Sequence, residues 1–265
     1  MQLEQNRALS DRLAYSSCLF GKLRDPNISA LSPYFDLFID QEDILHWDLD
    51  SDTLFVNGNA VRFASYFGRA DTFGHSTDRM AANYFLMKNY LIAHPEIRRH
   101  NRTYERETPT KASNLLLAKS IGMKIPRTVI GQQVDMADSI VKPLTGGHYV
   151  VAGSSANYAA IIQERIHGPN RRLFIVGSES FGFQVKSSEL DYRKDTAAEL
   201  QHAFFSQELI DRSIQMAKRL GLSYTALDFV GDYFLEINSM PMFVAFDQLL
   251  QGQIAKTIRY TLDYE

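Results

Sequence analysis

The sequence predicts a mixed α/β fold of the α+β kind. Three observations carry this. Short apolar runs punctuated by polar turns fill the first part of the chain. Capped stretches with a helical apolar stripe recur after it. Antiparallel strand patterns then crowd the second half and end in a hairpin from Ala226 to Pro241.

In order, Leu13 to Phe20, Tyr34 to Ile39, Thr53 to Val56 and Val61 to Phe63 read as strands. Asn57-Gly58 between the last two is a strong hairpin signal, because both residues tolerate positive φ. His46 and Trp47 fall between these runs and read as core or edge residues. Ser76-Thr77-Asp78 caps a helix that carries Met80, Tyr84, Met87 and Leu91 and stops before Pro95. Glu96 to Glu107, with Arg98, Arg99, Arg102 and Arg106, reads as a solvated connection and as the first domain boundary. The expected domains are 1–100 and 101–265, with a compact β-rich part at about 125–165 inside the second.

Thr110 starts a second helix, which Gly122 ends. Ser139 to Gly147 is a strand running into a glycine turn, and Tyr149 to Ala152 returns from it. Ala160 to Ile166, Arg171 to Gly177 and Phe181 to Lys186 are further strands, and Leu190 to Arg193 closes that sheet. Ser206 caps a helix to Leu220 that presents Leu209, Ile210, Ile214 and Ala217 on one side. Phe246 to Leu262 reads as a closing helix.

Composition sets limits on function. The chain has 265 residues, enough for a sizeable core, with 45% hydrophobic and 22% charged residues. A net charge of −3 gives no reason to expect nucleic acid or an anionic membrane as partner. Cys18 is the lone cysteine, so no intrachain disulfide forms, and the expected compartment is the reducing cytoplasm. Glu4, Arg7, Asp11 and Arg12 interrupt any signal-peptide core, and no apolar run approaches the roughly 20 residues that span a bilayer.

Chemistry concentrates in the hairpin. Asp228 lies on its first strand; Glu236 and Asn238, two residues apart, share a face of its second. Oxygen ligands so placed suit a hard cation such as Mg2+, although the pattern alone equally fits a hairpin with exposed acids. Asp228 and Glu236 share a face only with an odd-length loop or a bulge, since a regular Gly231-Asp232 turn would set Asp228 opposite Leu235. Lys142-Pro-x-x-Gly146-Gly147 offers a flexible backbone and a point charge to a polyphosphate, and alone it also fits a plain hairpin.

From Thr110 onward the order of parts resembles the ATP-grasp ligases. Lys111, followed by Gly122 and Ile-Pro, resembles the first ATP lysine of that family, and Ile-Val-Lys142-Pro the second. Ile-Gln163-Glu164-Arg-Ile166 resembles the linker strand that holds adenine and ribose. Arg172-Leu-Phe-Ile-Val-Gly177 resembles the strand whose arginine faces the acyl-phosphate site. Leu-Glu236-Ile-Asn238 with Asp228 resembles the metal-binding end. Asp191-Tyr-Arg193 resembles a piece of the ligases that cyclise ribosomal peptides, the microviridin-type or graspetide enzymes; the ribosomal-protein glutamate ligases carry a related piece. The chain departs from the family in a short Thr128-to-Lys142 interval and a short glycine loop.

The resemblance implies an ATP-grasp fold with a small N-terminal domain, a reduced central lid and a C-terminal antiparallel sheet with helices. It implies ATP and Mg2+ as cofactors and a carboxylate activated as an acyl phosphate, then attacked by an amine or hydroxyl. Lys111, Lys142, Gly146, Gly147, Gln163, Glu164 and Ile166 would hold nucleotide. Asp228, Glu236 and Asn238 would hold metal. Arg172 and Arg193 would hold the substrate carboxylate by two parallel hydrogen bonds, and Asp191 is a further catalytic candidate. Taken singly, Lys142 also fits a surface lysine, Arg172 an edge-strand cation, and Arg193 a partner of Asp191. The first-choice substrate is a ribosomally made precursor peptide. The rivals are addition of a free amino acid to a small acid or protein terminus, and a weakly active ATP-binding module that recognises a peptide. A homodimer is compatible with either.

Overall fold

The structure, a computed structural model, describes residues 13–71, 74, 76–102, 110–133, 136–144, 151–153, 155–187, 189, 195 and 197–264. The chain forms two compact units, Met1–His100 with Met242–Glu265, and Asn101–Pro241.

In the first unit β1 (Leu13–Gly21) is flanked by two parallel neighbours, β2 (Leu37–Asp40) and the long strand that follows the Asn57-Gly58 turn. The β1–β2 crossover is a short helix, α1 (Pro26–Leu31). Buried Asp25 caps it by accepting from the Asn27 N–H at 2.9 Å. An antiparallel meander, β3 (Leu45–Asp48), β4 (Thr53–Val56) and β5 (Asn59–Gly68), completes the order β2-β1-β5-β4-β3. Asn57 and Gly58 have φ of 49° and 80°, the conformation expected of that turn. His46 and Trp47 lie on the edge strand β3; His46 stacks on Phe55 and the Trp47 indole donates to Asp52. Helix α2 (Asp78–Ala93), capped by Thr77, packs Met87, Tyr90 and Leu91 against Phe20, Ile39, Leu54 and Phe63.

The charged stretch after α2 is not solvated throughout. Arg98–Arg99 forms β6, parallel to β5, and Ile97, Arg99, His100 and Asn101 are buried. A charge-rich run still buries side chains when its backbone joins a sheet.

The second unit opens with α3 (Lys111–Ser120), whose N-cap Thr110 accepts from Ser113 N–H and which Gly122 stops at φ 83°. Four antiparallel strands follow: β7 (Thr128–Gln133), β8 (Ser139–Pro143), β9 (Val151–Ala152) and β10 (Ser155–Glu164), ordered β7-β10-β8-β9. They fall within the stretch expected to form a compact β-rich part.

A second antiparallel sheet takes β11 (Asn170–Val176), β12 (Glu179–Lys186), β13 (Glu199–His202), β14 (Tyr224–Val230) and β15 (Tyr233–Asn238), ordered β13-β12-β11-β14-β15. The closing piece expected at Leu190 to Arg193 lies outside the described residues, apart from the structured β13 that comes after it. α4 (Gln207–Arg219), capped by Ser206, packs with α3 on one face of this sheet, burying Leu173, Ile175, Leu227, Phe229 and Ile237. Strand side chains alternate, so the other face carries the next residues along.

Residues 242–265, expected to belong with 101–241, group with the first unit. The expected single helix is two, α5 (Val244–Gln248) and α6 (Gln253–Thr261). Asp247 causes the break: its carboxylate accepts from Ile254 N–H at 2.6 Å and Ala255 N–H at 3.2 Å, while Gly252 turns at φ 84°. Burial against these bonds raises the Asp247 pKa from its ordinary value.

Candidate functional site

The hairpin of β14 and β15 turns tightly at Gly231-Asp232, with Gly231 at φ 57°, so Val230 pairs with Tyr233 and Phe229 with Phe234. A bulge then intervenes, and Asp228 pairs with Glu236 and Ala226 with Asn238. Leu235 is the extra residue. This is the bulge the sequence required: it returns Glu236 and Asn238 to the face of Asp228, opposite the helices.

On that face Arg172, paired across the ladder with Asp228, binds it with both ends of its fork, Nε to Oδ1 at 2.6 Å and Nη2 to Oδ2 at 2.8 Å. Asn238 Nδ2 donates to Asp228 Oδ2 at 3.1 Å. Arg172 and Asp228 are only 12% and 13% exposed, so the pair is shielded from water. The Arg172 fork, read from the sequence as a substrate clamp, is here turned onto Asp228.

The donor set fits a hard cation. Two carboxylates and an amide carbonyl on one face are all oxygen, as Mg2+ prefers. Asp228 Oδ1 accepts a single N–H and keeps lone-pair capacity, while Oδ2 accepts from both Arg172 and Asn238; Asn238, donating through nitrogen, has its carbonyl oxygen left to offer. Among the described residues no three His, Cys, Asp or Glu side chains converge, so the amide is essential to this set.

Beside this cluster lies a cavity of about 230 Å³. Ile140, Ile166, Val230 and Leu235 supply apolar walls; Lys142, Glu164, Asn170 and Ser187 supply polar groups. Asn170 pairs with Val230 and Arg172 with Asp228 in the same ladder. The cavity wall and the acid cluster are therefore two residues apart on each strand, roughly 7 Å. The bulge serves both: Leu235 enters the cavity wall while its neighbour Glu236 faces Asp228.

Lys142 lines the cavity and is 8% exposed; its Nζ donates to Gln163 Oε1 at 2.7 Å. Glu164 is exposed and accepts from Arg127 N–H at 3.2 Å through Oε2. Lys111 stands at the first turn of α3 and is not among the residues lining the cavity. On the same side of that helix, one turn on, buried Asn114 has a side-chain oxygen with no hydrogen-bond partner. Gly146, Gly147, Asp191 and Arg193 lie outside the described residues. Sequence reading missed Ile140, Asn170, Ser187, Val230 and Leu235 as wall residues. For Ile140, Asn170, Val230 and Leu235 the only sequence signal was strand alternation, which gives a face and not a neighbour; Ser187 lies just past β12 and carried none.

No family model matches the chain, and no curated protein matches it. Solved structures do. The ATP-grasp ligase PsnB, complexed with a phosphomimetic variant of its minimal precursor, Mg and ADP, aligns with a TM-score of 0.77 at 18% identity, over 94% of this chain and 98% of that one. The Chryseobacterium gregarium RiPP-associated ATP-grasp ligase, in complex with ADP and a leader and core peptide, aligns at 0.72 and 20% identity, covering 93% and 96%. The macrocyclase MdnC of Microcystis aeruginosa MRC, bound with the precursor peptide MdnA, aligns at 0.64 and 15% identity, covering 93% and 99%. With its paired antiparallel sheets, its capped helices and near-complete coverage of these chains, the protein has the ATP-grasp fold.

Proposed function

We propose that the protein is an ATP-dependent ligase that joins a carboxylate to an amine or hydroxyl of a ribosomally made precursor peptide. The observation that carries this is the cavity of nucleotide-base dimensions set about 7 Å along the sheet from the Asp228, Glu236 and Asn238 face, with buried Lys142 on its wall. The neighbours in fold named above were solved with adenine nucleotide, precursor peptide or both.

In this reading the apolar walls, Ile140, Ile166, Val230 and Leu235, enclose the base, and Lys142 and Lys111 offset phosphate charge. The γ-phosphoryl passes to an oxygen of the substrate carboxylate, and its bond to the β-phosphate oxygen breaks to release ADP. The amine or hydroxyl then attacks the acyl carbon, loses its proton, and phosphate leaves. Such a transfer depends on positioning and charge neutralisation more than on covalent help from the protein. Asp228, Glu236 and Asn238 would hold Mg2+, which supplies positive charge to the transferring phosphoryl oxygens. Arg172 keeps Asp228 in one orientation and adds positive charge beside the reacting group. Arg193 stays in the reading as a carboxylate-recognition residue, and Asp191 as a further catalytic candidate. Gly146 and Gly147 stay as the phosphate loop. The reading sets this chemistry in the cytoplasm and includes a homodimer, which sedimentation velocity would reveal.

The test is incubation with ATP, Mg2+ and candidate precursor peptides, following ADP and peptide mass. Loss of one water mass per linkage with one ADP formed is expected. Ligation of free amino acids instead would move the substrate to a small acid or protein terminus. Nucleotide binding without ADP formation on any acceptor would leave a binding module.

A further inference from the structure

Lys142 is held by a buried polar relay whose direction is forced from one end. The Pro126 carbonyl can only accept, and Thr128 Oγ1 donates to it at 2.8 Å. Thr128 Oγ1 therefore accepts from Gln163 Nε2, at 2.9 Å. That orientation leaves Gln163 Oε1 as acceptor for Lys142 Nζ, at 2.7 Å. Gln163 is 1% exposed and sits on the central strand β10, where it pairs with Thr128 on one side and Ile140 on the other. Lys142, Ile140, Gln163 and Thr128 thus share one face, the face on which Lys142 and Ile140 line the cavity.

We infer that Gln163 is a positioning residue for Lys142, fixing the ammonium on the phosphate side of the cavity, and that its side chain does not read the nucleotide base. This rests on the ligase reading and deepens it. Fixing a lysine side chain removes most of its rotamer freedom, so an anchor made before ATP arrives takes that cost out of binding. The acceptor is an uncharged amide. A glutamate at 163 would anchor the lysine equally well but cancel the charge that phosphate needs. With Oε1 on Lys142 and Nε2 on Thr128, the amide is held at both ends and away from the cavity lining, so turning it toward a ligand's base would break the relay.

The experiment is calorimetric titration of the full chain with ADP and, separately, with adenosine, which has no phosphates. Variants are Gln163→Met, which keeps the side-chain volume, Thr128→Val, Lys142→Ala, and Gln163→Met with Lys142→Ala. Gln163→Met should weaken ADP about threefold to tenfold and leave adenosine unchanged; Thr128→Val should do the same, more mildly. The double variant should bind ADP as Lys142→Ala does, because an anchor has nothing to add once the lysine is gone. Multiplicative losses, or an equal loss for adenosine, would overturn the inference while leaving the ligase reading in place. If Gln163→Met does not fold, Thr128→Val with Lys142→Ala closes the same cycle. A wild-type chain that binds neither ADP nor adenosine would sink both readings.

Discussion

Asp228 accepts from Arg172 Nε, Arg172 Nη2 and Asn238 Nδ2, so the acid that would hold metal is fully oriented by its neighbours. Arg172→Lys keeps the charge but loses the parallel pair of bonds. We expect about 1–2 kcal/mol less stability and at least a tenfold loss of ligation rate, with nucleotide affinity changed much less; thermal melts and single-turnover kinetics read the two effects. Full ligation kinetics in this variant would remove Arg172 from the site. Lys142→Ala should weaken ATP tenfold or more with little change in melting temperature, since a charge-assisted contact is worth about 1.5–3 kcal/mol. Away from the site, His100 is buried, its Nε2 3.0 Å from the Ile258 carbonyl, and burial lowers its pKa to about 4 from 6.5. The unfolded chain therefore binds this proton first. The stability His100 preserves is complete above pH 6.5 and is lost as pH falls from there toward 4, by about 3 kcal/mol in all. Urea midpoints at pH 7 and pH 4.5 should differ less in His100→Gln than in the wild type.

At the scale of elements, one hairpin decides most of the site. Its tight turn, read alone, would put Glu236 under the helices; the extra residue Leu235 puts it back. Gly231 has φ 57° and an added Cβ would meet nothing within 4 Å, so Gly231→Ala isolates the backbone effect. It should cost about 1 kcal/mol and lower the urea midpoint with an unchanged slope, while metal-dependent ATP turnover persists. A collapse of turnover at that modest cost would mean that the turn, and not the bulge, sets the register. The strands that the sequence missed are short and polar: β3 (Leu-His-Trp-Asp) and β13 (Glu-Leu-Gln-His) mix charged and polar residues through four positions, and β6 is made of two arginines.

At the scale of the molecule, the first unit is completed only by the last stretch of chain. Phe243, Phe246, Ile254, Ile258 and Leu262 are buried, and α5 and α6 pack with α1. At about 1.5–3 kcal/mol each, their burial amounts to roughly 7–15 kcal/mol, the size of a whole domain's stability. Truncation after Pro241 should therefore unfold β1 to β5, seen as lost hydrogen-exchange protection there. Amides of β11, β14 and β15 in the second unit should stay protected. Uniform loss of protection in both units would mean that the two do not fold separately. Among the described residues no helix is long and apolar enough to cross a membrane.

The residue types and their order along the chain determined the α+β class, the Asn57-Gly58 hairpin, the caps at Thr77, Thr110 and Ser206, and the need for a bulge between Asp228 and Glu236. Each of these depends on neighbours a few residues apart, where backbone geometry leaves few choices. Tertiary structure alone decided that Arg172 would close on Asp228, that Gln163 would face Lys142, that Leu235 would join Ile140 and Ile166 in one wall, and that 242–265 would complete the first unit. Those pairings join residues far apart in sequence. Alternation tells which face a side chain takes, but the partner across the face is set by ladder register and by which strand lies next to which, and a chain read in one dimension carries neither.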